Sequence, residues 1–100
     1  MGKKLTSVFT DNMDVCIFTK SNVVERHHII GKTRRNKELC EEYGFIVPLR
    51  PDLHPNGASA DDRYREQIDN YLKKMAQEYF EAHYGDREEW MRLFDRNYLD

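Results

Sequence analysis

No apolar run in the sequence approaches the roughly 18 residues that a membrane-crossing helix needs, so none is expected. Met1-Gly2-Lys3-Lys4 is not followed by an apolar segment of signal-peptide length, which points to an intracellular, cytoplasmic protein. Cysteine is scarce. Cys16 and Cys40 stand 24 positions apart and form no CxxC pair. In a reducing compartment the default is two free thiols, one or both buried. A four-ligand zinc knuckle cannot be written from two cysteines without help from His or Asp. Internal repeats, low-complexity tracts and linkers are absent, so residues 1–100 read as a single domain. A basic excess is missing too: the net charge is −2, which argues against non-specific coating of DNA.

What the chain does contain is 39% apolar and 34% charged residues, the balance of a globular domain with a modest core and a large solvated surface. The charge is unevenly spread. Residues 1–57 carry nine Lys/Arg and seven Asp/Glu, whereas residues 58–100 carry seven and eleven. Between positions 26 and 37 there are five basic residues and no acidic one. Such a patch can meet phosphate while the rest of the molecule stays acidic.

Leu5 to Thr10 reads as a short strand or an ordered arm, and Asp11-Asn12-Met13-Asp14 as a turn. Val15-Cys16-Ile17-Phe18 has β-propensity, Lys20-Ser21-Asn22 reads as a turn, and Val23 to Ile30 returns as a second strand; together they predict a hairpin. Gly31 ends that strand and permits a bend. Arg34 to Tyr43 favours helix, with Gly44 as its stop. Phe45-Ile46-Val47 is a short apolar strand that Pro48 and Pro51 confine to an edge or an end. Pro55-Asn56-Gly57 signals a turn. Ser59, with acidic Asp62 three residues on, looks like a helix start. Tyr64, Ile68, Tyr71, Leu72, Met75, Tyr79 and Phe80 then recur mostly at three and four residues, which predicts an amphipathic helix over about 60–84. Asp86 with Glu89 caps a last short helix over about 86–96, its apolar face Trp90, Leu93 and Phe94. The fold class expected is α+β in one domain.

Chemistry concentrates at Glu25-Arg26-His27-His28-Ile29-Ile30. Phosphodiester hydrolysis needs a deprotonated water, a counter-charge for the oxyanion and a stabilised leaving oxygen. A neutral His near pH 7 suits the first task, and one divalent ion serves the other two. On a regular strand His27 and His28 point to opposite faces, so they can divide these tasks only where the strand ends or bends.

The ordered set Glu25 to Gly31, Arg34-Arg35-Asn36-Lys37, Tyr43 to Leu49 and His54 resembles small HNH-type proteins of bacteriophages and prophages, within the His-Me finger (ββα-metal) nucleases. The resemblance covers about residues 13–68, and more loosely the C-terminal helices. It implies a hairpin whose first strand carries the His pair, then a second strand and a helix bringing further ligands. It assigns His28 as general base, His27 as first metal ligand and His54 as the ligand at the start of the metal-binding helix. Asn36 is the candidate for the central Asn that shapes the loop. Where relatives carry a further His this sequence has Asp61, which either binds Mg²⁺ or Mn²⁺ through oxygen or marks a site that has been lost; Zn²⁺ is the remaining candidate ion. Arg26, Lys32, Arg34, Arg35 and Lys37 are the candidates for contact with DNA. Relatives also carry a CxxC pair and a later Cys that hold structural zinc. Here Thr19 and Arg50 occupy the second and later positions beside Cys16, so no structural zinc is expected.

Simpler readings stand beside these. A His pair on a strand is more often incidental than catalytic, Asp61 is equally an ordinary first-turn acid, and Tyr64, Tyr71 and Tyr79 are several-fold better explained by core packing than by base stacking. Two function classes follow. One is a DNA endonuclease, phage-encoded and working in the host cytoplasm. The other is an HNH-fold protein that no longer cuts and binds a host nucleic-acid-binding protein through its acidic C-terminal half, or assists recombination.

Overall fold

In the computed structural model, residues 6–55, 57 and 61–99 are described. The order of elements is β1 (Glu25–His28), α1 (Arg34–Tyr43), β2 (Ile46–Leu49), a 3₁₀ turn (Pro51–Leu53), α2 (Asp62–His83) and α3 (Arg87–Phe94). The class is therefore α+β, with one antiparallel strand pair and three α-helices among the described residues. The expected helix start at Ser59, the turn residue Asn56 and the arm residue Leu5 lie outside the described residues.

The strand pair differs from the expected hairpin. β1 pairs with β2, in the register Glu25 to Leu49 and His28 to Ile46, and α1 fills the connection. Val15 to Phe18 instead forms a tight turn, in which Lys20 donates its N–H to the Cys16 carbonyl at 3.0 Å and takes a left-handed φ of 66°. The turn touches the sheet through one bond, Ile17 N–H to the Pro48 carbonyl at 3.0 Å. In an antiparallel strand a residue's N–H and C=O point to the same side. The carbonyl of Pro48 faces Ile17, so the N–H that proline lacks would also face away from β1, and no ladder bond is lost.

Each helix is bounded by its own chemistry. The Thr33 Oγ1 accepts the Asn36 N–H at 3.1 Å and opens α1. Gly44, at φ 79°, closes it in the left-handed conformation that glycine adopts without steric cost. Asp61 caps α2 through the Arg63 N–H at 3.0 Å. Asp86 caps α3 through the Glu89 N–H at 2.9 Å.

The core is aromatic. Phe45 stacks with Tyr43 and Phe9 and meets Trp90 and Phe94 at ring-centre distances of 6.0–6.3 Å. Each such pair adds about 0.5–1.5 kcal/mol beyond the area it buries. The N-terminal arm joins this core through Phe9 and through Val8, whose N–H reaches the Gly44 carbonyl at 2.9 Å. The buried stripe of α2 is Leu72, Ala76, Gln77 and Phe80. Tyr79 packs against it, but Tyr64 and Tyr71 lie off that stripe and are 39% and 57% exposed, contrary to the packing expected of them. None of the helices among the described residues is long and apolar enough to cross a membrane.

Candidate functional site

Alternation along β1 sends Glu25 and His27 to one face and Arg26 and His28 to the other. On the first face stands His54, delivered by the 3₁₀ turn that follows β2. Its ring centre lies 4.9 Å from that of His27, and its Nδ1 is 2.7 Å from the Glu25 carboxylate. A carboxylate only accepts, so Nδ1 carries the proton and the lone pair of the neutral ring falls on Nε2. Gly57 closes over this pair: a Cβ there would lie 2.8 Å from the Glu25 Oε1 and 3.0 Å from the His54 Nδ1. The segment after His54 passes this close only because residue 57 lacks a side chain.

His27 is 1% exposed, and its Nε2 has no hydrogen-bond partner among the described residues. Burial first, then the neighbouring His54, His28 and Lys73, pull its imidazole down to about 3 from 6.5. It is neutral at ordinary pH. A buried, unsatisfied ring nitrogen costs about 1–3 kcal/mol, which a bound water or ion would offset.

β1 ends at His28, and this is what lets both imidazoles line one cleft. The Nε2 of His28 is 3.1 Å from the Glu41 carboxylate on α1. With its proton there, the lone pair of the neutral ring falls on Nδ1. Glu41 thus does for His28 what Glu25 does for His54. Neither carboxylate stands out in the sequence, because each acts across a long chain separation.

The cleft measures about 740 Å³ and gathers His27, His28, His54, Asn36, Arg26, Lys32 and Lys37. Five basic side chains line it against two acidic ones, so it is locally positive on a chain of net charge −2. Three expected residues are not brought to it. Arg34 pairs with Glu38 at 3.3 Å, and Arg35 reaches the Arg92 carbonyl at 3.4 Å. Asp61 turns to Arg63, 2.8 Å away, and that hydrogen bond holds its carboxyl below the usual range. Lys73, Arg96 and Tyr98 line the cleft although sequence reasoning did not select them.

No protein-family model matches the chain, and no curated protein and no solved structure matches it. The site therefore rests on its own geometry. Among the described residues no three His, Cys, Asp or Glu side chains form a group able to hold a metal ion. The cleft offers two imidazoles, one with an orphaned nitrogen and one oriented by a carboxylate, which is the usual support for a ligating His. Two imidazoles are fewer than the three donors of such a group, so water or phosphate oxygen would have to complete the shell of any ion held there. The other region singled out in the sequence also comes together. Burial pushes the Cys16 thiol up, but hydrogen bonds from the Thr19 hydroxyl and from the backbone of Arg50, Thr19 and Phe18 outweigh it and leave the thiol lowered. One thiol beside Thr19 and Arg50 is not a zinc-holding set. Cys40 sits apart, its sulfur 3.3 Å from the Ile30 N–H.

Proposed function

We propose that the chain is a small phage-type HNH endonuclease that hydrolyses DNA phosphodiester bonds with one divalent ion. The observation that carries this reading is the meeting of His27 and His54, 27 positions apart, at 4.9 Å around a buried nitrogen without a partner. Further support comes from the His pair at a strand end and from the positive cleft. The clustering of positions 16, 19 and 50, where the resembling proteins carry zinc cysteines, adds to it.

His27 and His54 would hold the ion, which when bound supplies positive charge to the phosphate and the leaving oxygen. Two nitrogen donors without Asp61 shift the preference from Mg²⁺ towards Mn²⁺ or Zn²⁺. The His28 Nδ1 takes the proton of the attacking water, and the Glu41 carboxylate stabilises the imidazolium that results. Arg26, Lys32 and Lys37 meet the DNA backbone, and Asn36 shapes the loop behind them. Plasmid nicking in Mn²⁺, Mg²⁺ or Zn²⁺ tests the assignment. His28→Ala is expected to lower the rate by about 10²–10⁴-fold while ion binding persists. A variant that nicks as fast as the parent contradicts it.

One observation favours a second reading, an HNH-fold binding protein that no longer cuts: among the described residues no three donors come together, and Asp61 is committed to Arg63. The acidic C-terminal half would then be the surface met by a basic, nucleic-acid-binding host protein, or the chain would serve as a recombination accessory factor. A parent that binds none of the three ions in calorimetry leaves this reading alone.

A further inference from the structure

One wall of the cleft comes from residues beyond 68, past the stretch that carries the HNH resemblance most closely. It is built by α2 and by residues 95–99, which follow α3 and lie back on α2. Two fully buried side chains fix this strap. The Trp90 Nε1–H donates to the Arg96 carbonyl at 2.7 Å. The Gln77 Oε1 accepts the Tyr98 N–H at 2.6 Å, and its Nε2 donates to the Asn97 Oδ1 at 2.8 Å. A buried carboxamide is costly unless its groups are bonded, so Gln77 belongs to a built contact rather than to a fraying end.

The strap delivers Arg96 to the cleft, exposed and, among the described residues, without an ion pair. α2 delivers Lys73, held 2.8 Å from Asp69 and 5.5 Å from the Tyr98 ring centre. An ammonium has three donors, so one carboxylate does not exhaust it. The charge of Lys73 also reaches His27. Asp69 and Asp95 line the same wall and leave it neutral overall, so it works through directed donors rather than a long-range field.

We infer that Arg96 and Lys73 form an anion subsite that takes a backbone phosphate of DNA beside the one at the histidines. This rests on the nuclease reading of the cleft and extends it to the C-terminal strap.

The test is fluorescence anisotropy of the full chain with a short fluorescein-labelled DNA duplex, in EDTA to prevent cleavage, across a salt titration. Arg96→Gln is expected to weaken binding about fivefold and to lower the slope of log K against log salt by roughly one, as for one lost phosphate contact. Lys73→Gln combined with Asp69→Asn keeps the wall's charge balance, and is still expected to weaken binding. Arg34→Gln with Arg35→Gln, outside the cleft, should bind as the parent does. If Arg96→Gln and the Lys73/Asp69 pair bind like the parent while Lys32→Gln with Lys37→Gln loses affinity, the subsite is overturned and the cleft reading survives. A parent with no affinity for the duplex overturns both.

Discussion

His27 is the residue at which stability and the proposed function pull in opposite directions. Its neutral imidazole is buried with one nitrogen unpaired, an arrangement that an apolar side chain of similar size would relieve. Its linkage to pH has a definite sign. The folded value is about 3 against 6.5, so the unfolded chain binds the proton first as pH falls. The stability associated with this group is fully present above pH 6.5 and is lost progressively towards pH 3, by an amount on the order of several kcal/mol. His27→Leu is expected to melt no lower than the parent at pH 7 and to lose much less stability between pH 6 and pH 4, while losing ion binding. Thermal melts followed by circular dichroism across that range check it. A variant that melts well below the parent at pH 7 means that the imbalance at His27 is not there. His27, His28 and His54 were singled out together in the sequence, and the fold brings all three to one cleft. Glu25 and Glu41, which orient two of those rings, were not legible. They lie 29 and 13 positions from their partners, and only the fold brings them close.

At the scale of elements, what could be read followed from how locally each is determined. α1 was legible to the residue because its apolar spacing and Gly44 are contained within one stretch. α2 and α3 were legible to within about two residues, for the same reason. The strand pairing was not, since Val15 to Phe18 and Phe45 to Val47 have similar β-propensity, and the choice between them is made by contacts distant in sequence. The two tyrosines misread as core follow from a related limit: helical spacing identifies an apolar face but not where packing centres it. The strap after α3 was equally hidden, because its anchor is a glutamine on a face otherwise apolar. Gln77→Leu removes the acceptor of the Tyr98 N–H and the donor to Asn97. It is expected to cost about 2 kcal/mol, or roughly 8–16 °C in Tm for a domain of this size. A melting temperature equal to the parent's would show that the strap is not held through Gln77.

Taken whole, the molecule gathers five basic side chains in one cleft of a chain of net charge −2, and lines that cleft with residues from Arg26 to Tyr98. The N-terminal arm and the aromatic core fix α1 against the sheet, which sets Glu41 under His28. The 3₁₀ turn and Gly57 set His54 against Glu25 and His27. A site assembled in this way gains nothing from Asp61, which serves α2 as its cap. The most direct measurement is calorimetric titration of the chain with Mn²⁺ and Zn²⁺, beside His27→Leu, His54→Ala and Asp61→Asn. The expected result is one ion per chain, binding abolished in either histidine variant and unchanged in Asp61→Asn. Binding that survives in both histidine variants, or no binding by the parent, would contradict the shared imidazole site.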